Sequence, residues 1–329
     1  MQSENKLLSV RDLSIQYVTR DMGCCRAVNN VSFDLVRGEV LGLVGETGAG
    51  KTTIARGIMN LVPNPPGKIT SGSIEFEGQD LLQLKKRSMR KIRGDKISMI
   101  FQDPMTALNP VDTVGKQIEE VLKLHLSGNT GESLRDKAAH MLETVGIPAE
   151  RIDEYPHQFS GGMKQRIIIA IALACNPELL IADEPTTALD VTIQAQILDL
   201  MNNLKRELGT SMLLITHDLG VVAQMCSRVA IMYAGEIVEI GEARHIFKER
   251  LHPYTKGLFN SLPSIAGERV KLKPIDGMMP DPSNLPVGCA FAPRCPLRQE
   301  RCVKEHPALQ EISPGHFVRC CCAIGKEVR

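Results

Sequence analysis

A glycine-rich stretch that also carries a lysine and hydroxyl side chains is the part of this sequence best suited to chemistry. It reads, in order, Gly45, Glu46, Thr47, Gly48, Ala49, Gly50, Lys51, Thr52 and Thr53. The glycines let the backbone turn tightly and approach a phosphate without a Cβ in the way. Lys51 is then placed to reach the β- and γ-phosphates, and the Thr52 hydroxyl to bind Mg²⁺. The spacing predicts a phosphate-binding loop.

The segments on either side of this loop support the prediction. Glu39 to Val44 has the apolar pattern of a buried strand, and Thr52 to Leu61 has that of a helix. A phosphate-binding loop requires a strand before it and a helix after it, because the helix points its positive end at the anion. A chance match among glycines would not bring these two elements with it.

Carboxylates and a histidine follow two other apolar segments. Leu179 to Glu184 reads as a strand that ends in Asp183 and Glu184. Asp183 would lie near Mg²⁺ and Glu184 would polarise the attacking water, although carboxylates after a strand are also common helix caps. The loop at Gly45 to Thr53 makes the catalytic interpretation the favoured one. His217 follows the strand Met212 to Thr216; it is either a solvated loop residue or a hydrogen-bond partner of the γ-phosphate.

Two weaker signals have structural explanations as well. Ser160, Gly161 and Gly162 precede a predicted helix from Lys164 to Ala174, where they could be no more than an N-cap and a turn. Tyr17 could stack on an adenine ring or could be one more aromatic side chain on a strand.

The order of the remaining segments predicts the fold class. Alternating apolar residues indicate half-buried antiparallel strands, at Leu13, Ile15 and Tyr17, at Val31, Phe33 and Leu35, and at Ile74 and Phe76, the last bounded by Ser71-Gly72 and Gly78. Helical spacing replaces alternation at Val114 to Leu126 and at Ser133 to Val145, where Ser133 and Asp136 form a capping box. Asp103 to Pro110 reads as an ordered loop. We expect an α/β fold with a RecA-like core, an antiparallel β subdomain and a helical subdomain.

Composition excludes several classes of protein. The chain has 329 residues, 43% of them hydrophobic, with 39 basic and 38 acidic side chains. The balanced charge gives no support to nucleic acid as the main partner. The longest apolar run, Ile167 to Cys175, is about half as long as a membrane span, and the N-terminus does not resemble a signal peptide. We therefore expect a cytosolic chain whose contact with a membrane is made through partners.

These segments, in this order, resemble the ATP-binding subunits of ABC transporters over roughly residues 5–250, with the helical subdomain at about 103–165. The resemblance assigns the Walker A loop to residues 45–52, the Q-loop to Gln102, the signature to Ser160-Gly161-Gly162, Walker B to Asp183 and Glu184, the D-loop to Ala188-Leu189-Asp190, and the switch histidine to His217. It implies ATP as the nucleotide and Thr52, Gln102 and Asp183 around Mg²⁺. Met163 stands where many members have glutamine, which leaves the phosphate contacts unaffected.

Three longer segments narrow the resemblance to the dipeptide and oligopeptide importer ATPases, with nickel importer ATPases as close relatives. They are Phe101 to Pro110, Tyr155 to Met163, and His252-Pro253-Tyr254-Thr255. The resemblance implies a heterodimer with a second, similar ATPase, in which each signature acts on the nucleotide of the other subunit. It also implies two membrane permeases and an extracytoplasmic solute-binding protein, and so a peripheral location on the cytoplasmic face of the membrane. The alternatives are an importer of nickel or another small solute and, from a different class, a soluble ABC-type ATPase.

Six cysteines crowd the end of the chain, after a segment rich in proline and glycine. They are Cys289, Cys295, Cys302, Cys320, Cys321 and Cys322. In a reducing compartment such a group suggests a metal, and four thiolates suit zinc or an iron–sulfur cluster. The segment Gly288 to Cys295 resembles the tail of peptide-importer ATPases, which implies a 4Fe-4S cluster on Cys289, Cys295, Cys302 and Cys320. We thus expect a small, irregular metal-binding extension over residues 251–329.

Overall fold

A computed structural model describes residues 5–19, 23–126, 133–187, 189–261 and 274–323. Their strands are β1 (Lys6–Thr19), β2 (Gly23–Val36), β3 (Val40–Val44), β4 (Gly67–Phe76), β5 (Gln79–Asp80), β6 (Ile97–Ile100), β7 (Leu179–Asp183), β8 (Ser211–Thr216), β9 (Arg228–Tyr233), β10 (Glu236–Glu242), β11 (Gln310–Ser313) and β12 (His316–Val318). Their α-helices are α1 (Lys51–Ile58), α2 (Lys86–Ile92), α3 (Pro104–Ala107), α4 (Val114–His125), α5 (Leu134–Thr144), α6 (Gly161–Leu173), α7 (Val191–Leu208), α8 (Leu219–Met225), α9 (Ala243–Lys248), α10 (Pro253–Asn260) and α11 (Glu300–Lys304). Short 3-10 helices lie at Leu81–Gln83, Ala149–Asp153, Pro156–Gln158 and Ala292–Arg294.

The chain divides into two compact units, and each is built from separate stretches of sequence. The first unit comprises Met1–Leu7, Leu35–Val40 and Phe76–Ile215. The second unit comprises Leu8–Asp34, Leu41–Glu75 and Thr216–Arg329.

The first unit contains three parallel strands in the order β8, β7, β6. Every residue of these strands is buried, which explains their continuous apolar sequences. The predicted helices are confirmed within one residue at α4 and α5, and each buries an apolar stripe, at Ile118 and Leu122 in α4 and at Ala138 and Leu142 in α5. The N-cap half of the predicted capping box is confirmed, because the Ser133 hydroxyl accepts a hydrogen bond from the Asp136 N–H at 3.0 Å, and the Asp136 carboxylate accepts from the Ser133 hydroxyl at 2.6 Å.

The second unit contains a five-strand succession in the order β11, β12, β10, β9, β3. β3 runs parallel to β9, and the other neighbours are antiparallel. A separate sheet places β2, β1 and β4 side by side. The predicted alternation is confirmed in this sheet, since Leu13, Ile15, Val31, Phe33 and Leu35 are all at most 4% exposed.

Three predictions of local structure were wrong. The strand at Ile74 and Phe76 does not begin at Ser71-Gly72: β4 runs through this pair from Gly67. Gly72 has φ 96°, and a Cβ there would lie 2.5 Å from the Arg11 carbonyl oxygen, so it serves a close backbone approach and not a strand boundary. The loop at 103–110 contains the short helix α3, whose first residue is Pro104, a position that proline favours. The C-terminal extension is not irregular, because β11 and β12 add to the edge of β10 and α10 and α11 lie within it.

A buried carboxylate holds the C-terminal segments to β10. Glu239 is fully buried; one of its oxygens accepts hydrogen bonds from the Leu251 N–H (2.9 Å) and His316 Nε2 (2.8 Å), and the other from the His252 N–H (2.9 Å). Burial acts to raise the pKa of Glu239, but the hydrogen bonds from His316 and from the backbone N–H groups of Leu251 and His252 help to outweigh it, and the pKa is lowered. These hydrogen bonds offset the cost of burying the Glu239 charge, and they hold the segments that supply the donors to β10.

Acid should destabilise this region through His252, whose side chain is buried beside Glu239, Arg319 and Lys256. Burial lowers the pKa of His252 from 6.5 to about 4, although the charge of Glu239 opposes the shift. The unfolded chain therefore binds a proton that the folded chain excludes, so stability is complete above pH 6.5 and is lost as the pH falls toward 4. The difference in pKa corresponds to about 3 kcal/mol.

We predict that the melting temperature falls across this pH window and falls less in His252→Asn. Asparagine keeps an acceptor for the Tyr254 N–H, which His252 Nδ1 holds at 3.1 Å. The exposed His140→Asn is the matched control and should behave as the wild type. Equal slopes of melting temperature against pH in all three proteins would contradict the assignment.

Candidate functional site

The glycine-rich loop connects the end of β3 to the start of α1, as the sequence predicts. Gly45 and Gly50 are the positions where no side chain fits. A Cβ on Gly45 would lie 2.3 Å from the Met232 carbonyl oxygen, and one on Gly50, which has φ 101°, would lie 2.3 Å from the Ala27 carbonyl oxygen. The loop thus lies against the backbone at Met232 and at Ala27, so glycine is required at both positions.

Lys51 is turned into the loop. Its side chain is largely buried, and Nζ donates to the carbonyl oxygens of Gly45 (2.7 Å) and Glu46 (3.0 Å). Lys51 and Thr52 are the first two residues of α1, so the lysine ammonium group, the threonine hydroxyl and the first N–H groups of the helix lie at one end of the helix. This combination can bind a polyphosphate with its divalent cation.

Two residues that the sequence did not identify as functional contact the loop. Tyr254 Oη accepts a hydrogen bond from the Glu46 N–H at 3.0 Å. Arg294 Nη1 donates to both carboxylate oxygens of Glu46, at 3.0 and 3.3 Å. Tyr254 lies in a segment that resembles peptide-importer ATPases and Arg294 precedes a predicted cysteine ligand, but no pattern in the sequence relates either residue to the loop.

In the first unit, the structure brings Gln102 and Glu184 together. Gln102 Nε2 donates to Glu184 Oε2 at 3.1 Å, and the Thr187 hydroxyl donates to the same oxygen at 3.0 Å. Glu184 has φ 49°, a strained conformation for a residue with a side chain, and its N–H is held by the Ile215 carbonyl oxygen at 2.8 Å. Asp183, the last residue of β7, is buried. A carboxylate aimed by two donors at the end of a strand can act as a general base.

The signature residues form the N-terminus of a long helix. Ser160 is the exposed N-cap of α6 and accepts from the Met163 N–H at 3.4 Å, and Gly161 and Gly162 are the first two residues of the helix. A Cβ on Gly162 would lie 2.6 Å from Ile193 Cγ2, so this glycine is required for packing against α7. The helix starts three residues earlier than predicted, with its first N–H groups beside Ser160.

The positions of His217 and Tyr17 leave their predicted roles open. His217 is exposed directly after β8. Tyr17 is half-buried on β1, where a Cβ on Gly67 would lie 2.9 Å from its ring, so part of the ring packs on β4. Ala188 of the predicted D-loop lies outside the described residues.

The predicted cysteine ligands share one region but are not arranged around a single ion. Cys302 and Cys320 are buried, the Cys289 N–H donates to the Cys302 carbonyl oxygen at 2.8 Å, and Cys302 Sγ lies 3.8 Å from Cys322 Sγ. Burial raises the pKa of Cys289 to about 12, and the charges of Cys320, Cys295 and Cys302 add to the increase. Over the described ranges, no three His, Cys, Asp or Glu side chains lie close enough together to hold a metal ion. The predicted metal site is therefore not confirmed.

The second unit contains a strand, a glycine-rich loop and a helix in succession, and the first contains two adjacent carboxylates at the end of a parallel strand. These features define the class of P-loop nucleotide-hydrolysing proteins. Residues 28–187 match the ABC transporter family, and residues 238–302 match the C-terminal region of oligopeptide/dipeptide transporters. The chain therefore belongs to the ATP-binding subunits of the ABC transporter family.

Its relatives match along nearly the whole chain. The dipeptide transport ATP-binding protein DppD of Bacillus subtilis is 51% identical over 317 residues, which are 96% of this chain and 94% of the relative. The oligopeptide transport ATP-binding protein OppD of Salmonella typhimurium is 48% identical over 321 residues, which are 97% of this chain and 94% of the relative. A solved dimeric ATP-binding cassette, in a post-hydrolysis state bound to ADP and Pi, is 29% identical to this chain with a TM-score of 0.65. The match covers 72% of this chain and 99% of the chain in that structure.

We predict that Glu184→Gln binds ATP but hydrolyses it at least about a hundredfold more slowly, because glutamine keeps the shape and loses the base. The measurement is ATP turnover by the assembled complex, with ATP binding measured on the same preparation. The exposed Glu207→Gln on α7 is the matched control and should turn over at the wild-type rate. Near-normal turnover in Glu184→Gln would rule out the role of general base.

Proposed function

We propose that this chain is the energy-coupling ATPase of a membrane importer for dipeptides or oligopeptides. The observation that carries the proposal is its similarity, over nearly its full length, to dipeptide and oligopeptide transport ATP-binding proteins. The match of residues 238–302 to the C-terminal region of oligopeptide/dipeptide transporters adds to it, because this segment lies outside the match to the general ABC transporter family.

We propose that one set of residues binds the phosphates and Mg²⁺ and that another set acts on the attacking water and the γ-phosphate. Residues 45–53 would cradle the phosphates with their N–H groups and with Lys51, and Thr52, Gln102 and Asp183 would hold Mg²⁺, which would neutralise phosphate charge. Glu184 takes a proton from the attacking water, and His217 hydrogen-bonds the γ-phosphate. The support from geometry is the loop that is closed around Lys51 and the Glu184 carboxylate that is held by Gln102 and Thr187. Tyr17 is proposed to stack on the adenine.

A second ATPase is required in the proposed assembly. Ser160, Gly161 and Gly162 present the N-terminus of α6, which suits binding to the γ-phosphate of a nucleotide held by the partner's loop. Closing the pair around two nucleotides and opening it after hydrolysis is a ligand-driven shift between two arrangements. The partners would be a similar ATPase, two permeases and an extracytoplasmic solute-binding protein.

The proposed location is the cytoplasmic face of the membrane, in contact with the permeases. Within the described ranges, no helix is both long and apolar enough to span a bilayer. The proposed domain boundaries are residues 5–250 for the nucleotide-binding domain, with a helical subdomain at about 103–165, and 251–329 for the extension.

Purification of the tagged chain from membranes in mild detergent tests this function. We expect two permeases, a second ATPase and a solute-binding protein to co-purify, and the ligand of that binding protein to be a peptide. Recovery of soluble partners alone, from membranes that still yield another ABC transporter intact, would contradict the proposal. If the binding protein instead carries a nickel ion, the importer assignment stands and its cargo is nickel.

We also propose that Cys289, Cys295, Cys302 and Cys320 hold a 4Fe-4S cluster, with zinc as the alternative. The support is the backbone hydrogen bond between Cys289 and Cys302 and the contribution of Cys320 to the raised pKa of both Cys289 and Cys295. Such a cluster would stabilise the extension; no step of ATP hydrolysis depends on it.

We predict that Cys295→Ser loses the visible absorption and bound iron of the anaerobically purified protein and melts at a lower temperature. The exposed Cys24→Ser is the matched control and should keep all three properties. Zinc in place of iron in the wild type would select the alternative. Iron content and absorption that do not change in Cys295→Ser would exclude Cys295 as a ligand.

A further inference from the structure

The extension holds the phosphate-binding loop at Glu46, through Tyr254, which is buried, and Arg294, whose side chain is largely buried. Glu46 is the second residue of the loop. Its N–H donates to Tyr254 Oη (3.0 Å), its carboxylate accepts from Arg294, and its carbonyl oxygen accepts from the Ala49 N–H (3.1 Å) and Lys51 Nζ (3.0 Å). Every polar group of Glu46 therefore has a partner, and two of these partners come from outside the loop.

Arg294 is placed to hold Glu46 rigidly. The arginine side chain is only 6% exposed, whereas that of Glu46 is 30% exposed. Besides Glu46, the guanidinium group donates to the carbonyl oxygens of Asp276 (Nε, 3.0 Å) and Ile275 (Nη2, 3.3 Å) and to Tyr233 Oη (Nη1, 3.4 Å). Only a planar group with several donors reaches these acceptors together, so lysine could not replace arginine here.

Aromatic packing fixes the other partner. Phe291 is buried, and its ring centroid lies 5.2 Å from that of Tyr233 and 5.5 Å from that of Tyr254. The rings of Tyr233 and Tyr254 are 4.6 Å apart. Phe291 and Arg294 both belong to the short segment between Cys289 and Cys295, so a single piece of the extension supports both contacts to Glu46.

We propose that Arg294 and Tyr254 are positioning residues for ATP binding, through which the C-terminal extension sets the affinity of the loop for nucleotide. This inference rests on the proposed role of residues 45–53 in binding ATP. The two residues hold the loop in one conformation, which lowers the entropy lost on binding. Arg294 also neutralises the carboxylate of Glu46, the residue that follows Gly45. Without Arg294 this negative charge would repel the phosphates of the nucleotide.

The two effects of Arg294 can be separated by a second substitution. Arg294→Gln leaves an unpaired carboxylate beside the phosphate site and loosens the loop, so ATP affinity should fall about tenfold, which corresponds to one charge-assisted contact. Glu46→Gln removes the repelling charge. The double variant should therefore bind ATP more tightly than Arg294→Gln alone, a recovery that general loss of stability in the extension would not produce.

The experiment measures ATP affinity by calorimetry on the full chain and the KM and kcat for ATP of the assembled complex. We expect Arg294→Gln to raise KM about tenfold with kcat at saturating ATP within about twofold, because the side chain bonds Glu46 and none of the residues proposed to act in the hydrolytic step. Arg298→Gln, an exposed arginine four residues further along, is the matched control and should equal the wild type. The melting temperature without nucleotide, measured on each variant, separates affinity from folding.

Several outcomes would overturn the inference. Equal ATP affinities in Arg294→Gln and Arg298→Gln would do so, as would a double variant no better than Arg294→Gln. If Arg294→Gln does not fold, Tyr254→Phe replaces it, since this change removes only the hydroxyl that accepts from the Glu46 N–H, and unchanged affinity there would be equally decisive. If the importer assignment is wrong, the purified complex will lack permeases, which is a different result from any of these. If the wild-type chain does not bind ATP, the proposed role of residues 45–53 in binding ATP is wrong.

Discussion

Close approach between backbone segments is the constraint on which the phosphate-binding loop depends. The loop can present its N–H groups to an anion only if its turns leave no room for side chains, and Gly45 and Gly50 meet carbonyl oxygens of Met232 and Ala27 at distances that exclude a Cβ. Those two carbonyls belong to β9 and β2, so the loop is shaped by strands that the chain forms far from it in sequence. Its binding chemistry is local, but the conformation that makes binding possible is a property of the second unit.

The C-terminal extension is part of that same unit. β12 pairs with β10, His252 and His316 hydrogen-bond Glu239, and the segment between Cys289 and Cys295 packs on Tyr233 and Tyr254. The buried carboxylate and the aromatic cluster place the extension where Arg294 meets Glu46. This arrangement explains in physical terms why a chain of this family can carry an extension of this size without a separate core, because the extension completes the core of the unit it joins.

Much of the fold and of the candidate site could be predicted from the sequence, wherever the signal was local. The apolar strands β3, β6, β7 and β8, the amphipathic helices α4 and α5, and the loop from Gly45 to Thr53 have patterns set by burial or by ligand chemistry over a few residues. β11 was not predictable, since all four of its residues are exposed and only backbone pairing makes it a strand. The contact of Arg294 with Glu46 joins residues 248 positions apart, and the strained φ of Glu184 depends on its surroundings; neither leaves a mark in the local sequence.

The central claim is that ATP hydrolysis by this chain drives peptide import. The most direct measurement is uptake of a labelled oligopeptide into vesicles that contain the purified complex and its solute-binding protein, with ATP supplied on the side of this chain. The account predicts peptide accumulation that requires ATP, together with ATP turnover that rises when the peptide-loaded binding protein is added. ATP turnover that is indifferent to peptide, in vesicles where no peptide accumulates, would contradict it.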